Sequence, residues 1–152
     1  MKVLRIYADT SVFGGCFDQE FAEESRKLFE EIQEGRFILA VSATTLRELE
    51  GAPLQVRQVL GDLPDRCVES LPASEEVAKL RDAYVALGVV SEASRLDAEH
   101  IASASVGDVD LIVSWNFKHI VHFEKIRGYH AVNLIHGYRE VAVHTPKEVI
   151  QL

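Results

Sequence analysis

The chain has 152 residues, of which 47% are hydrophobic and 26% charged, with a formal net charge of −8. That is the length of about one domain and the composition of a chain that buries a core without disulfide or metal staples, which excludes intrinsic disorder. The acidic balance excludes a polybasic nucleic-acid binder but not a nuclease, whose metal site is itself acidic.

No apolar run approaches the ~20 residues of a membrane span. The opening Met1-Lys2-Val3-Leu4-Arg5-Ile6 alternates charged and apolar residues and has no signal-peptide core. Cys16 and Cys67 form no CxxC pair, so the chain reads as cytoplasmic. Charge is uneven. Asp18, Glu20, Glu23, Glu24, Glu30, Glu31 and Glu34 face only Arg26 and Lys27, whereas Lys118, Lys125, Arg127 and Arg139 face only Glu124. Two solvated faces account for this; a sharper reading makes the later stretch a place where phosphates are handled.

In chain order, residues 3–7 read as a buried strand ending near Ala8 and broken by Asp9-Thr10-Ser11. Asp18 caps a helix to about Gln33, with Phe21, Leu28, Phe29 and Ile32 on one face and Gly35 as its stop. Residues 37–41 form a second short apolar run; Ser42 then caps a helix over 43–50, and Pro53 opens another to about Leu60. Residues 67–71 are a weaker strand. Ser74-Glu75-Glu76-Val77 opens a helix in the manner of a capping box, with Val77, Leu80, Tyr84 and Leu87 on one face and Gly88 as its end. A small-residue helix covers 96–106, closed by Gly107, and a strand covers 110–114. Residues 117–126 read as helical, 131–134 stay ambiguous, 140–144 give a last strand, and Pro146 opens a terminal helical turn. Strands alternating with helices predict one α/β domain, a three-layer α/β/α arrangement over a mostly parallel sheet.

In such sheets the functional crevice lies at the carboxyl ends of the strands. Asp9 falls there, followed by the hydroxyls of Thr10 and Ser11; Ser114 and Asn116 fall there after the later strand. Glu48 lies on the helix after the second strand, and Asp97 opens the small-residue helix. Three carboxylates and one amide are therefore able to meet, an oxygen-only set that suits Mg²⁺ or Mn²⁺. Each residue taken singly also has a structural role: Asp9 as a turn or cap, Glu48 as a solvated helix residue, Asp97 as an N-cap, Asn116 as a turn residue. An aspartyl-phosphate enzyme of the haloacid-dehalogenase kind needs a second Asp where Ser11 stands. A zinc site built on His119 and His122, neighbours on the expected helix, lacks a second ligand pair.

The segments Tyr7-Ala8-Asp9-Thr10-Ser11, Val41-Ser42-Ala43-Thr44-Thr45-Leu46-Arg47-Glu48-Leu49, Leu96-Asp97-Ala98-Glu99-His100-Ile101-Ala102-Ser103-Ala104 and Leu111-Ile112-Val113-Ser114-Trp115-Asn116 together resemble the PIN domain family, as found in VapC-type toxins of toxin–antitoxin pairs. The resemblance runs across nearly the whole chain. It implies a PIN-like fold and a Mg²⁺- or Mn²⁺-dependent ribonuclease, with Asp9, Glu48 and Asp97 as metal-binding acids and Asn116 in the place of the family's common fourth acid. It further implies RNA as substrate, an antitoxin protein as partner, and a homodimer, for which the apolar faces over 18–33 and 74–87 are candidates. Thr10, Ser11 and Ser114 are then candidates to hydrogen-bond ligands or phosphate, and Lys118, Lys125 and Arg127 to hold the backbone. Asn116, which brings no charge, supports the alternative of a PIN fold without turnover that acts as an RNA-binding or protein-interaction module.

Overall fold

The computed structural model describes residues 2–152 and sets the main apolar runs side by side. β1 (Leu4–Ala8), β2 (Phe37–Ser42), β3 (Val68–Leu71), β4 (Leu111–Val113) and β5 (Ala142–His144) form one sheet in the order β3-β2-β1-β4-β5. Every neighbouring pair is parallel. β1 is central and covered on both faces, so its period of two sends alternate side chains into different cores. Ile6 and Ala8 join Leu39, Val41, Leu111 and Val113 on one face. Tyr7 joins Ala40 and Ile112 on the other.

Helices supply the outer layers. α1 (Thr10–Gly15), α2 (Ala22–Gln33), α3 (Ala43–Glu50), α4 (Leu54–Gly61) and α8 (Pro146–Val149) contribute Val12, Phe13, Leu28, Phe29, Ile32, Leu49, Val56 and Val149 to the first core. α5 (Glu75–Ala86), α6 (Arg95–Val106) and α7 (Phe123–Ile135) contribute Val77, Leu80, Tyr84, Ala98, Ile101, Ala102, Tyr129 and Val132 to the second. The layering expected from the alternation of strands and helices is thus the layering found. Of the apolar faces offered as candidates for a dimer contact, Leu28, Phe29 and Ile32 of α2 enter the first core and Val77, Leu80 and Tyr84 of α5 the second, while Leu87 stays exposed. Among the described residues no helix is long and apolar enough to cross a membrane.

Local chemistry sets the element ends. Ser42 accepts the Thr45 N–H at 3.1 Å and starts α3 where the sequence places it. Gly35 and Gly88 take φ of +86° and +77° after α2 and α5. Ser74 caps α5 through the Val77 N–H, but Val77 itself stands where a capping box needs Glu or Gln, so the reciprocal bond is missing. The full box is at α8, between Thr145 and Glu148.

Three expectations need correction. Asp9-Thr10-Ser11 does not simply end a strand: α1 begins at Thr10. α2 begins at Ala22 rather than at Asp18, because the Asp18 side chain closes a tight turn onto the Glu20 N–H at 2.8 Å. Residues 117–122 are not helical. The Asn116 carbonyl receives both the Ile120 and Val121 N–H groups, a turn that delays α7 to Phe123, with His122 as its cap. α7 then absorbs the ambiguous residues 131–134. His119 and His122 are therefore not neighbours on one helix, and the pairing on which a zinc reading rests is lost.

α1 has to approach α2 and the segment after β4 closely. A Cβ added at Gly15 would lie 2.6 Å from Ser25 Oγ and 2.9 Å from Trp115 Nε1, whereas one at Gly14 meets nothing within 4 Å. Gly15→Ala is expected to cost ~1–3 kcal/mol by overpacking, and Gly14→Ala to be neutral or to gain up to ~1 kcal/mol. Urea denaturation of the two variants checks this; equal midpoints would remove the close approach.

Candidate active site at the carboxyl edge of the sheet

β1, β2 and β3 advance along the sheet in one direction, while β4 and β5 lie on the other side of β1. The topological switch point therefore falls between β1 and β4, where α/β sheets open their crevice. Asp9 leaves β1 at this point and is 4% exposed. Its main-chain N–H donates to the Val113 carbonyl at 3.2 Å, which ties it to the end of β4. Ser11 Oγ donates to Asp9 Oδ1 at 2.5 Å and accepts the Trp115 N–H at 3.0 Å. Ser114 Oγ in turn accepts the Asn116 N–H at 2.9 Å.

Glu48 reaches the same place from the last turn of α3. Its Oε1 accepts Thr10 Oγ1 at 2.6 Å and His100 Nε2 at 2.5 Å. Asp97 comes from the first turn of α6. Ser94 holds the N-cap position there, so the Asp97 carboxylate is free to face the crevice. Its Oδ1 accepts Asn116 Nδ2 at 3.1 Å, while Asn116 Oδ1 accepts the His119 N–H at 2.9 Å. The structure thus brings Asp9, Glu48, Asp97 and Asn116 together, with Thr10, Ser11 and Ser114 among them. Here the hydroxyls of Thr10 and Ser11 are donated to the acids. Lys118 is exposed just beyond, Lys125 Nζ donates to the Val89 carbonyl at 2.9 Å, and Arg127 lies over the Phe123 ring.

Sequence reasoning missed the group at the centre of this arrangement. His100 is 3% exposed. Its Nε2 lies 2.5 Å from Glu48 Oε1 and its Nδ1 2.6 Å from the Tyr7 hydroxyl, which is itself hydrogen-bonded to Ser42 Oγ at 2.7 Å. The signal was present, since His100 follows Asp97 by three residues and shares its face of α6. Burial works against a charge on this ring, but Tyr7, Glu48 and Asp9 outweigh it and lift its pKa to about 10. Burial also works to raise Glu48, yet the hydrogen bond and charge of His100, helped by Thr10 and Arg47, leave it below the usual value. Asp9 and Asp97 go the other way. Burial raises both; His100 only partly offsets it, and each is raised further by another acid of the group, Asp9 by Asp97 and Asp97 by Glu48. His119 lowers Asp97, and its own Nδ1 is buried with no partner among the described residues.

Ser11 holds Asp9 Oδ1, Thr10 and His100 hold Glu48 Oε1, and Asn116 holds Asp97 Oδ1, with Ser114 also hydrogen-bonding to Asp9. By donor chemistry this set fits a hard divalent cation. Among the described residues no three His, Cys, Asp or Glu side chains stand close enough to enclose an ion by themselves.

No family model matches this sequence, and no curated protein does. Among solved structures the chain is similar to one from the crystal structure of VapBC2 from Rickettsia felis bound to a DNA fragment from their promoter. The two superpose with a TM-score of 0.56 at 12% identity, over 93% of this chain and 98% of the other. At that identity the likeness concerns the fold, which is three-layered α/β/α and PIN-like.

The raised His100 has a consequence for stability. A base whose pKa is higher in the fold contributes stability that is complete below its ordinary value of about 6.5 and is lost as pH rises through about 10. Wild type is expected to lose unfolding free energy across that interval, and His100→Gln to lose less. Urea titrations across the range check this; parallel curves would show that the ring is not a buried cation.

Proposed function

We propose that this chain is a Mg²⁺- or Mn²⁺-dependent ribonuclease of the PIN type, the toxin of a toxin–antitoxin pair. The observation that supports it most is the meeting of Asp9, Glu48 and Asp97 at the switch point, each oriented by a hydrogen bond from a neighbouring side chain. The resemblance of the motifs carrying these residues to PIN domains, and the likeness in fold to a chain of a VapBC2 complex, point the same way.

Asp9, Glu48 and Asp97 would hold the cation. Mg²⁺ keeps much of its water and needs only one or two carboxylates, so acids that do not close a cage by themselves suffice. When bound, the cation lowers the pKa of water and offsets charge on phosphate oxygens. The chain's own residues do the positioning. Ser11 fixes Asp9, Thr10 and His100 fix Glu48, and Asn116 fixes Asp97. Lys118, which is exposed, would meet the phosphate backbone. An antitoxin partner and a homodimer belong to this proposal. A monomer mass by light scattering at tens of micromolar would remove the dimer from it.

Asp9→Asn is expected to abolish RNA cleavage and, in metal-free buffer, to raise Tm, because it removes the charge that burial penalises. Cleavage of a single-stranded RNA at matched Mn²⁺, beside thermal melts with and without Mn²⁺, tests both. Equal cleavage by wild type and variant would overturn the assignment, and RNA binding with no dependence on the cation would favour the binding module instead.

Asn116→Asp replaces a donor by a carboxylate against Asp97. It is expected to lower Tm without metal and to recover on adding Mn²⁺. A Tm unchanged in both conditions would place residue 116 outside the metal site.

A further inference from the structure

A cavity of about 190 Å³ opens among α3, α5 and α6 and the segment that follows β3. Its charged lining is Arg47, Arg81 and Glu99, with the hydroxyls of Thr44, Ser74 and Ser103 around them. Glu99 is buried, and both guanidiniums converge on it. Arg47 Nη2 meets Oε2 at 2.6 Å and Arg81 Nη1 meets Oε1 at 2.6 Å, while Thr44 donates to Oε2 at 2.6 Å. Two cations against one anion leave the cavity one positive charge in excess. Asp82 also receives Arg81, but it is exposed, lies outside the lining and is shared with Arg95. Most N–H donors of Arg47 and Arg81 have no protein partner among the described residues.

Fastening α3 and α5 to α6 accounts for both arginines on Glu99. It does not account for the donors they leave free at an open cavity. Their chemistry suits a ligand group with a single negative charge and several acceptor oxygens. The volume is below the ~300–1,000 Å³ of pockets that enclose drug-sized ligands, so it holds such a group and not a whole nucleotide. Its position says where the group comes from. Thr44 and Glu48 are four residues apart on α3, so their Cβ atoms lie about 5–6 Å apart on one face. The Arg47–Glu99 pair of the cavity and the Glu48–His100 pair of the site both join α3 to α6.

We infer that this cavity is a phosphate subsite, in which Arg47 and Arg81 grip the phosphodiester of a nucleic-acid strand next to the one presented to Asp9, Glu48 and Asp97. This rests on the ribonuclease reading. Guanidinium forks pair with phosphate oxygens in two directions at once. Glu99 keeps the forks pre-oriented and limits their excess charge to what one phosphodiester neutralises.

The test is binding of a labelled single-stranded RNA to the full chain carrying Asp9→Asn, which keeps the strand intact, followed by anisotropy over a KCl series. In that background Arg47→Gln is expected to weaken binding and to flatten the plot of log K against log salt by about 0.7, the loss of one phosphate contact on a single strand. Arg66→Gln, on the turn before β3, serves as control and leaves the slope unchanged. Glu99→Gln separates the subsite from a purely structural clamp. It frees both arginines, so RNA is expected to bind more tightly with a steeper slope even though the fold is weakened; a clamp alone predicts looser binding. Slopes that Arg47→Gln and Glu99→Gln both leave at the parent value, with RNA still bound, would overturn the subsite while the ribonuclease reading stands. No binding of RNA by the parent at any salt would overturn both.

Discussion

A buried positive charge at His100 holds the carboxyl edge of this sheet together. Asp9 and Glu48 leave the sheet on different elements, and Asp97 lies one turn before His100 on α6. Three carboxylates brought together repel one another, and burial works to raise the pKa of each. The imidazolium supplies the opposite charge from within the protein. It holds Glu48 by a 2.5 Å hydrogen bond and acts on Asp9 and Asp97 through space. Its other nitrogen is fixed by Tyr7, so the ring cannot turn away. The acids are thereby set unequally, with Glu48 below its usual pKa and Asp9 and Asp97 above theirs.

α3 and α6 meet through a crossed pattern of charge. Arg47 and Glu48 follow one another on α3, Glu99 and His100 on α6, and the pairs run Arg47 to Glu99 and Glu48 to His100. Each pair holds the other in register, since sliding either helix would set like charges face to face. A buried ion pair adds little net stability by itself. What these pairs supply is a fixed distance between the two helices that carry Glu48 and Asp97.

Much of the frame is legible in the amino-acid order. β1, β2 and β4 are short apolar runs between polar breaks, and Ser42, Gly35 and Gly88 end elements by chemistry that acts over a few residues. α1 is not legible, because Asp9-Thr10-Ser11 reads equally as a turn and Gly14-Gly15 discourages a helix; it forms because Val12 and Phe13 are buried against the sheet. The irregular stretch after Asn116 is hidden for a related reason. Its apolar residues suit a helix, and only the turn on the Asn116 carbonyl, set by where β4 ends, prevents one. In the site, Asp9 follows from its place after a strand and Asp97 from its place in the first turn of a helix, whereas Glu48, in the last turn of α3, is marked only by the motif around it. Asn116 is found beside them, but its use of both side-chain ends, one on Asp97 and one on the His119 N–H, needs the fold. His100 is hidden because a histidine inside a small-residue helix looks like core filling until its two partners arrive from β1 and α3.

Tyr7 belongs to two systems at once. Its ring is fully buried in the core beneath α5, α6 and α7, and its hydroxyl stands between His100 and Ser42. The interior on that side and the polar edge are therefore not separate modules. A change that lets the ring settle elsewhere in the core also lets go of the imidazole, and with it the carboxylate of Glu48. Replacements in this apolar layer accordingly keep the edge intact only where they leave one hydroxyl in place, a restriction that reaches the core from its rim.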